Sequence, residues 1–301
     1  MACFFGAYVK IVDMPKVKST FTLLRLVFNL FKPEHQQIFY PYIIIVFINL
    51  LVLETLYFAP RHPLSSFFYP LIGRIWGAEY LHYPMDLMLL PKLFYYTQVI
   101  IFLFVSSFLT AIIADMVAAI NNEKQVNFGA SFQKSLPRYI YIFLYSLLSL
   151  LLLESFDYAY GLLIQRVHQI HSTTGIYFCL KKLVFFAHPY AQFLYENIAT
   201  ALLIYVPVLV ILEKKKFIGA LIDNFKTICG SFWLTLTLVL VPTLGYLPLL
   251  LMKNNIGNLV EMTSPEVQVV ALILNIFVTT GINIFIMASA SAYYLYKKEN
   301  L

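Results

Sequence analysis

YYTQVIIFLFVSSFLTAIIADMVAA, residues 95–119, runs from Tyr95 to Ala119 with one charged residue, Asp115. Coiled as a helix rising about 1.5 Å per residue, it is long enough to cross a hydrocarbon core about 30 Å thick. Five more stretches of that kind occupy 39–59, 139–164, 193–212, 231–252 and 269–295. The pattern predicts an all-α polytopic transmembrane helical bundle of six spans, with 1–301 forming a single integral-membrane domain. Composition agrees: 60% of the residues are hydrophobic and 12% charged, against about 25% charged in a soluble domain. The net charge of +6 is spread over short loops. It therefore suits lipid headgroups, and nucleic acid is not expected as a partner.

The basic residues predict an orientation. Segments on the side of the two termini hold 14 of the 21 Lys and Arg residues, and those on the other side hold 7. The positive-inside rule then places both termini in the cytoplasm. Lys214-Lys215-Lys216, directly after the fourth span, weighs most in that count. Residues 1–15 do not read as a cleavable leader, and the first span is expected to serve as the insertion signal. Of three cysteines, Cys3 and Cys229 fall on the inner side and Cys179 outside, so no intrachain disulfide is expected.

Residues 16–32 read as an amphipathic helix on the inner surface, with Arg25 and Lys32 on its polar stripe. Arg25, Lys32, Lys214, Lys215 and Lys216 are thus the expected membrane-surface residues. A repeat at an offset of 90 follows: Glu123-Lys124 and Gly129-Ala130 recur as Glu213-Lys214 and Gly219-Ala220. Segments 127–136 and 217–226 would be short inner-surface helices, making spans two–three and four–five copies of one hairpin. The proline- and aromatic-rich segments 60–92 and 165–191 are expected to lie along the outer surface. Ser107, Ala111, Ala114 and Ala118, with Gly281, Ala288 and Ala292, mark close helix contacts. Pro207 and Pro242 should kink the fourth and fifth spans.

Candidate chemistry is sparse. Glu54, Glu154, Asp157 and Glu196 fall in the outer parts of their spans, and Asp115 near the inner end of the second. Glu154 and Asp157 share a helix face, and His168 and His171 form a His-x-x-His pattern, so these four are the candidate metal ligands. The alternative is that the acids pair with Arg61 and Arg166. Asp115 is the candidate transport carboxylate. Signatures of hydrolases, zinc proteases, phosphate-binding loops and dinucleotide folds are missing, so no enzyme and no cofactor are expected.

The run Val126-Asn127-Phe128-Gly129-Ala130-Ser131-Phe132-Gln133-Lys134-Ser135-Leu136-Pro137-Arg138 leads straight into an apolar span. Gly219-Ala220 with Asp223, Lys226 and Trp233 looks like its second copy. Over residues 95–250 the arrangement resembles the YciC-like family of bacterial six-span proteins and the membrane domain attached to some glycerophosphodiester phosphodiesterases. The resemblance implies architecture; the phosphodiesterase barrel is absent. The leading expectation is a non-enzymatic scaffold, assembly factor or accessory subunit in envelope or lipid handling, with a membrane or cytoplasmic protein partner. The alternative is a small-solute or lipid transporter or channel subunit, which should enclose a polar cavity near mid-membrane.

Overall fold

The computed structural model describes residues 27–28, 30–31, 33–169 and 176–299. The inner-surface helix expected over 16–32 falls almost wholly outside them, Arg25 and Lys32 included, as does His171. The chain is an all-α bundle with six helices long and apolar enough to span a membrane: His35–Phe58, Met85–Asn121, Phe128–His168, Tyr177–Leu212, Phe232–Asn254 and Val267–Glu299.

The helices are α1 (Tyr40–Phe58), α2 (Ser65–Ile75), α3 (Met85–Ile101), α4 (Ser107–Asn121), α5 (Phe128–Ser135), α6 (Tyr139–His168), α7 (Ile176–Leu203), α8 (Tyr205–Leu212), α9 (Phe217–Ile228), α10 (Phe232–Thr243), α11 (Leu247–Asn254), α12 (Ile256–Met262) and α13 (Val267–Glu299). Spans two and four reach further than the hydropathy suggested. Pro91 and Pro189 sit inside continuous helices, which overturns the expectation that 60–92 and 165–191 lie wholly along the surface. Among the described residues there, only α2 and the turns around it form a separate element. An even number of spans puts Pro33 and Glu299 at the same face, called here the terminal face; the other is the distal face.

At the centre α4, α8 and α13 pack together. Tyr205–Ile211 of α8 are all buried, as are Ala111, Ala114, Ala288 and Ala292. Small side chains let these backbones approach closely, which drives helix association in lipid. Gly281 faces Tyr42 of α1, whose ring stands 3.8 Å from the point a Cβ would occupy. The third span is the least covered and turns Leu144 and Leu151 outward, where hydrocarbon is the expected neighbour.

Three spans are broken. The second is interrupted by a π-turn over Phe102–Ser106, between α3 and α4. The fourth breaks at Ile204, three residues before Pro207, and the fifth passes through a 3-10 turn at Leu244–Tyr246 just after Pro242. Proline has no N–H to donate and its ring crowds the carbonyl four residues back. In lipid, backbone groups released at a break need partners from neighbouring helices. They have them: Ser146 and Tyr139 of α6 donate to the carbonyls of Leu103 and Phe104 at 3.3 and 2.9 Å. Asn224 of α9 donates to Leu202 O at 2.7 Å and accepts from Tyr205 N–H at 3.2 Å.

Candidate membrane-embedded polar site

The three breaks surround a set of neighbouring cavities that share lining residues. One of about 260 Å³ is bounded by the second, third, fourth and sixth spans, with Ser106, Thr110, Ser149, Glu196, Thr200 and Asn283 among its walls. A second, about 250 Å³, opens between the fourth, fifth and sixth, and is lined by Glu196, Asn197, Thr200, Thr243, Thr279 and Asn283. A third, about 150 Å³, lies towards the first span, against Asn49, Gln98, Ser106, Thr110, Thr279 and Asn283. Asn283 borders all three and stands at the midpoint of α13. Its side chain is exposed, and it has no hydrogen bond to another described residue. An amide at that depth without a protein partner is costly unless water or a ligand satisfies it.

Glu196 is the one carboxylate in the cavity walls. It lies about 24 Å along the fourth span from Leu212, within the thickness of a hydrocarbon core. Gln192, one turn earlier, donates a hydrogen bond to it. It forms no ion pair among the described residues. The nearby cation, Lys253, is held elsewhere: its Nζ donates to Asn275 Oδ1 at 2.8 Å and to the Tyr246 hydroxyl at 2.9 Å. Asn197 accepts from Thr243 at 2.5 Å, tying the fourth span to the fifth beside the 3-10 turn.

The residues singled out from the sequence fall elsewhere. Asp115 borders none of these cavities; near the terminal face it accepts from Ser131 Oγ at 2.9 Å and pairs with Lys134. Its chemistry is spent on pinning α5, so as candidate transport carboxylate it gives way to Glu196. The proposed metal set is also corrected. Because α6 is one unbroken helix, Glu154 and His168 are about 21 Å apart along its axis and do not meet on one ion. Glu154 instead accepts from the Tyr95 hydroxyl at 2.6 Å. No group of three His, Cys, Asp or Glu side chains suited to a metal occurs among the described residues. Glu196 was visible as an acid within a span. What the sequence withheld was that Thr, Ser and Asn from four other spans converge on the two cavities it borders, since each alone reads as a tolerated polar residue.

The terminal face carries a second polar cluster. Glu213 is bonded by Lys215 at 2.5 Å, by Lys298 at 2.8 Å and by the Tyr294 hydroxyl. Lys215 also reaches Asp223 at 2.8 Å, and Lys226 pairs with Asp223 at 3.0 Å. Burial pushes the Glu213 carboxyl up, but these donors outweigh it and hold it at about 2. The Lys215 ammonium is raised by its bonds to Asp223 and Glu213, and the Asp223 carboxyl is lowered by Lys215 and Lys226. The lysine run is therefore divided: Lys214 and Lys216 are exposed, while Lys215 faces inward to the cluster. Next to it α9 turns Ile218, Ile222 and Phe225 outward, one apolar stripe at helical spacing. Comparison with protein-family models, with curated proteins and with solved structures finds no match.

Proposed function

We propose that this protein is a membrane transport module that binds a small polar solute within the bundle. The observation that carries the reading is Asn283: an exposed, unpartnered amide at the middle of a span, shared by three cavities with walls of hydroxyl, amide and carboxylate groups. Interrupted helices around a midplane site are the means by which secondary transporters bring backbone and polar side chains to a solute. The same breaks offer joints at which one hairpin could shift against the other. The terminal face is proposed to be cytoplasmic from the basic-residue bias, and the membrane to be of the bacterial inner type from the resemblance to bacterial six-span proteins.

Thiol accessibility tests this. In a chain with Cys3, Cys179 and Cys229 replaced by Ser, Thr110→Cys, Thr200→Cys and Asn283→Cys are expected to react with a charged, membrane-impermeant thiol reagent. Leu151→Cys, which faces lipid, is expected to resist it. Uniformly unreactive cavity positions would remove the basis for transport.

A second reading, a scaffold or accessory subunit in envelope or lipid handling, is favoured by a different feature. Helix α9 presents the apolar stripe Ile218, Ile222 and Phe225 between Lys214, Lys216 and the exposed Trp233. Such a surface suits the headgroup layer or a membrane-bound partner protein. Crosslinking in native membranes from a photoreactive residue at Ile222 separates the two, lipid adducts alone speaking against a partner.

A further inference from the structure

We propose that Glu196 is the binding site for a singly charged cation inside the cavity. The inference rests on the transport reading above and gives it a ligand class. A carboxylate within a hydrocarbon slab is costly unless something positive meets it. Glu196 has one neutral hydrogen-bond donor, Gln192, and no ion pair among the described residues. Lys253 acts on it through space but bonds Asn275 and Tyr246 instead, so among the described residues no cation touches the carboxylate. Direct coordination is therefore open to something that enters the cavity.

The remaining walls select the kind of cation. Around Glu196 stand neutral oxygens: Thr200, Asn283 and Ser149 in one cavity, Asn197, Thr243 and Thr279 in the other. One negative charge among neutral oxygen donors balances one positive charge. A divalent ion of the calcium or magnesium type takes several carboxylates or a shell of water and phosphate. The imidazole and thiolate ligands of a transition metal are missing from these walls, where the Met287 thioether is the one sulfur. An alkali ion or the ammonium group of a small amine fits instead, and the two share their chemistry at this site.

Negative charge continues beyond the cavity wall. Glu154 and Asp157 follow Leu153, which borders the first cavity, along the third span. One oxygen of Asp157, Oδ1, is buried without a hydrogen-bond partner. Acids beside a low-dielectric cavity raise the local concentration of cations and repel anions.

The test uses the full chain, purified in lipid nanodiscs, with the thermal unfolding midpoint as readout. At equal ionic strength, sodium chloride, methylammonium chloride and N-methylglucamine chloride are compared for the parent, Glu196→Gln and Glu196→Asp. Sodium or methylammonium is expected to raise the parent's midpoint by several degrees over the bulky N-methylglucamine. Glu196→Gln should lose that rise and Glu196→Asp keep part of it. A response to sodium alone marks a coupling-ion site; a response to methylammonium alone marks a substrate amine. An unchanged parent, or the same rise in Glu196→Gln, overturns the proposal. A second readout is modification of Ala199→Cys, one turn from Glu196, in the cysteine-free background. The effective cation should slow it several-fold, and should not in Glu196→Gln. Equal reactivity of Ala199→Cys in both chains without cation shows that the Gln variant is folded. Reactive Thr110→Cys and Asn283→Cys with no cation effect would leave the water-filled cavity standing and remove only the ion site. Inert cavity cysteines with a cation-dependent midpoint would do the reverse.

Discussion

Asn224 accepts the backbone N–H of Tyr205 at 3.2 Å across the same 19-residue separation that joins Lys134 to Asp115. At an offset of 90 residues the two pairs coincide: Asp115 stands where Tyr205 does, and Lys134 where Asn224 does. In each hairpin a short surface helix, α5 or α9, folds back and ties itself to the span that precedes it. Each connection also turns through a residue with positive φ, Glu123 at 56° and Lys214 at 54°. The geometry is shared and the chemistry is not. The first tie is an ion pair near water; the second repairs a helix broken ahead of Pro207.

That difference sets the first expectation. Asn224→Leu leaves Leu202 O and Tyr205 N–H without partners in an apolar interior, at a cost of about 2–3 kcal/mol. Lys134→Met leaves Asp115 with Ser131 alone, but Lys134 is 57% exposed and water replaces part of the loss. Its cost is expected at about 1–2 kcal/mol. Thermal midpoints in matched detergent should rank Asn224→Leu below Lys134→Met. Equal losses would mean that the break at Ile204 finds another partner.

Periodicity and length carried the six spans, because lipid demands long uninterrupted apolar runs. They misplaced the distal ends of spans two and four, where Pro91 and Pro189 resembled loop punctuation. Prolines are tolerated inside membrane helices when neighbours satisfy the freed carbonyls, and a single sequence does not display neighbours. The repeat was legible from Gly129-Ala130 and Gly219-Ala220. The site was not, since it depends on which face of α13 carries Asn283 and on which helices meet it. Asp115 drew attention as a charge in an apolar run, yet its partner Lys134 was already present in the next segment.

The cluster around Glu213 predicts a pH response. A carboxyl held at about 2, against 4.5 when free, stabilises the folded chain fully above pH 4.5. That stabilisation fades as pH falls from there through about 2. Glu213→Gln is expected to lower the thermal midpoint at pH 7, with a loss of roughly 1–2 kcal/mol for a partly wet cluster. The gap between the variant and the parent should stay constant down to about pH 5 and close on further acidification. A gap still undiminished at about pH 2 would assign the effect to packing.

Lys298→Glu reverses one of the donors to Glu213. Lys297, beside it, donates to Thr227 O at 2.7 Å, so both lysines fasten the end of α13 to the loop that carries α9. Reversal of the pair should therefore loosen the terminal face as much as reversal of Lys215, although the sequence alone marks the Lys214–Lys216 run as the stronger feature. Faster protease cleavage between Leu212 and Phe217 in inverted vesicles is the measurement. Protection equal to the parent would confine these lysines to a surface role.

Cys179 and Cys229 are both exposed, Cys179 at the distal end of the fourth span and Cys229 beyond its terminal end. In a Cys3→Ser chain, an impermeant thiol reagent applied to intact cells should label Cys179 at once. It should label Cys229 only after the membrane is opened. The reverse order would put the terminal face outside, and simultaneous labelling would contradict the fourth span.

Asn283→Leu is expected to separate stability from function. Cavity water takes the place of a protein partner for the amide, so a branched apolar side chain displaces that water and packs at the junction of three cavities. The thermal midpoint should rise, by an amount corresponding to about 1–2 kcal/mol. Reactivity at Thr110→Cys and Thr200→Cys should fall at least tenfold, because water loses its path between the chambers. A residue kept for packing would behave in the opposite way, its replacement lowering the midpoint and leaving access unchanged. A lower midpoint with unaltered thiol reactivity would therefore show that Asn283 supports the bundle and that the cavity does not pass through it.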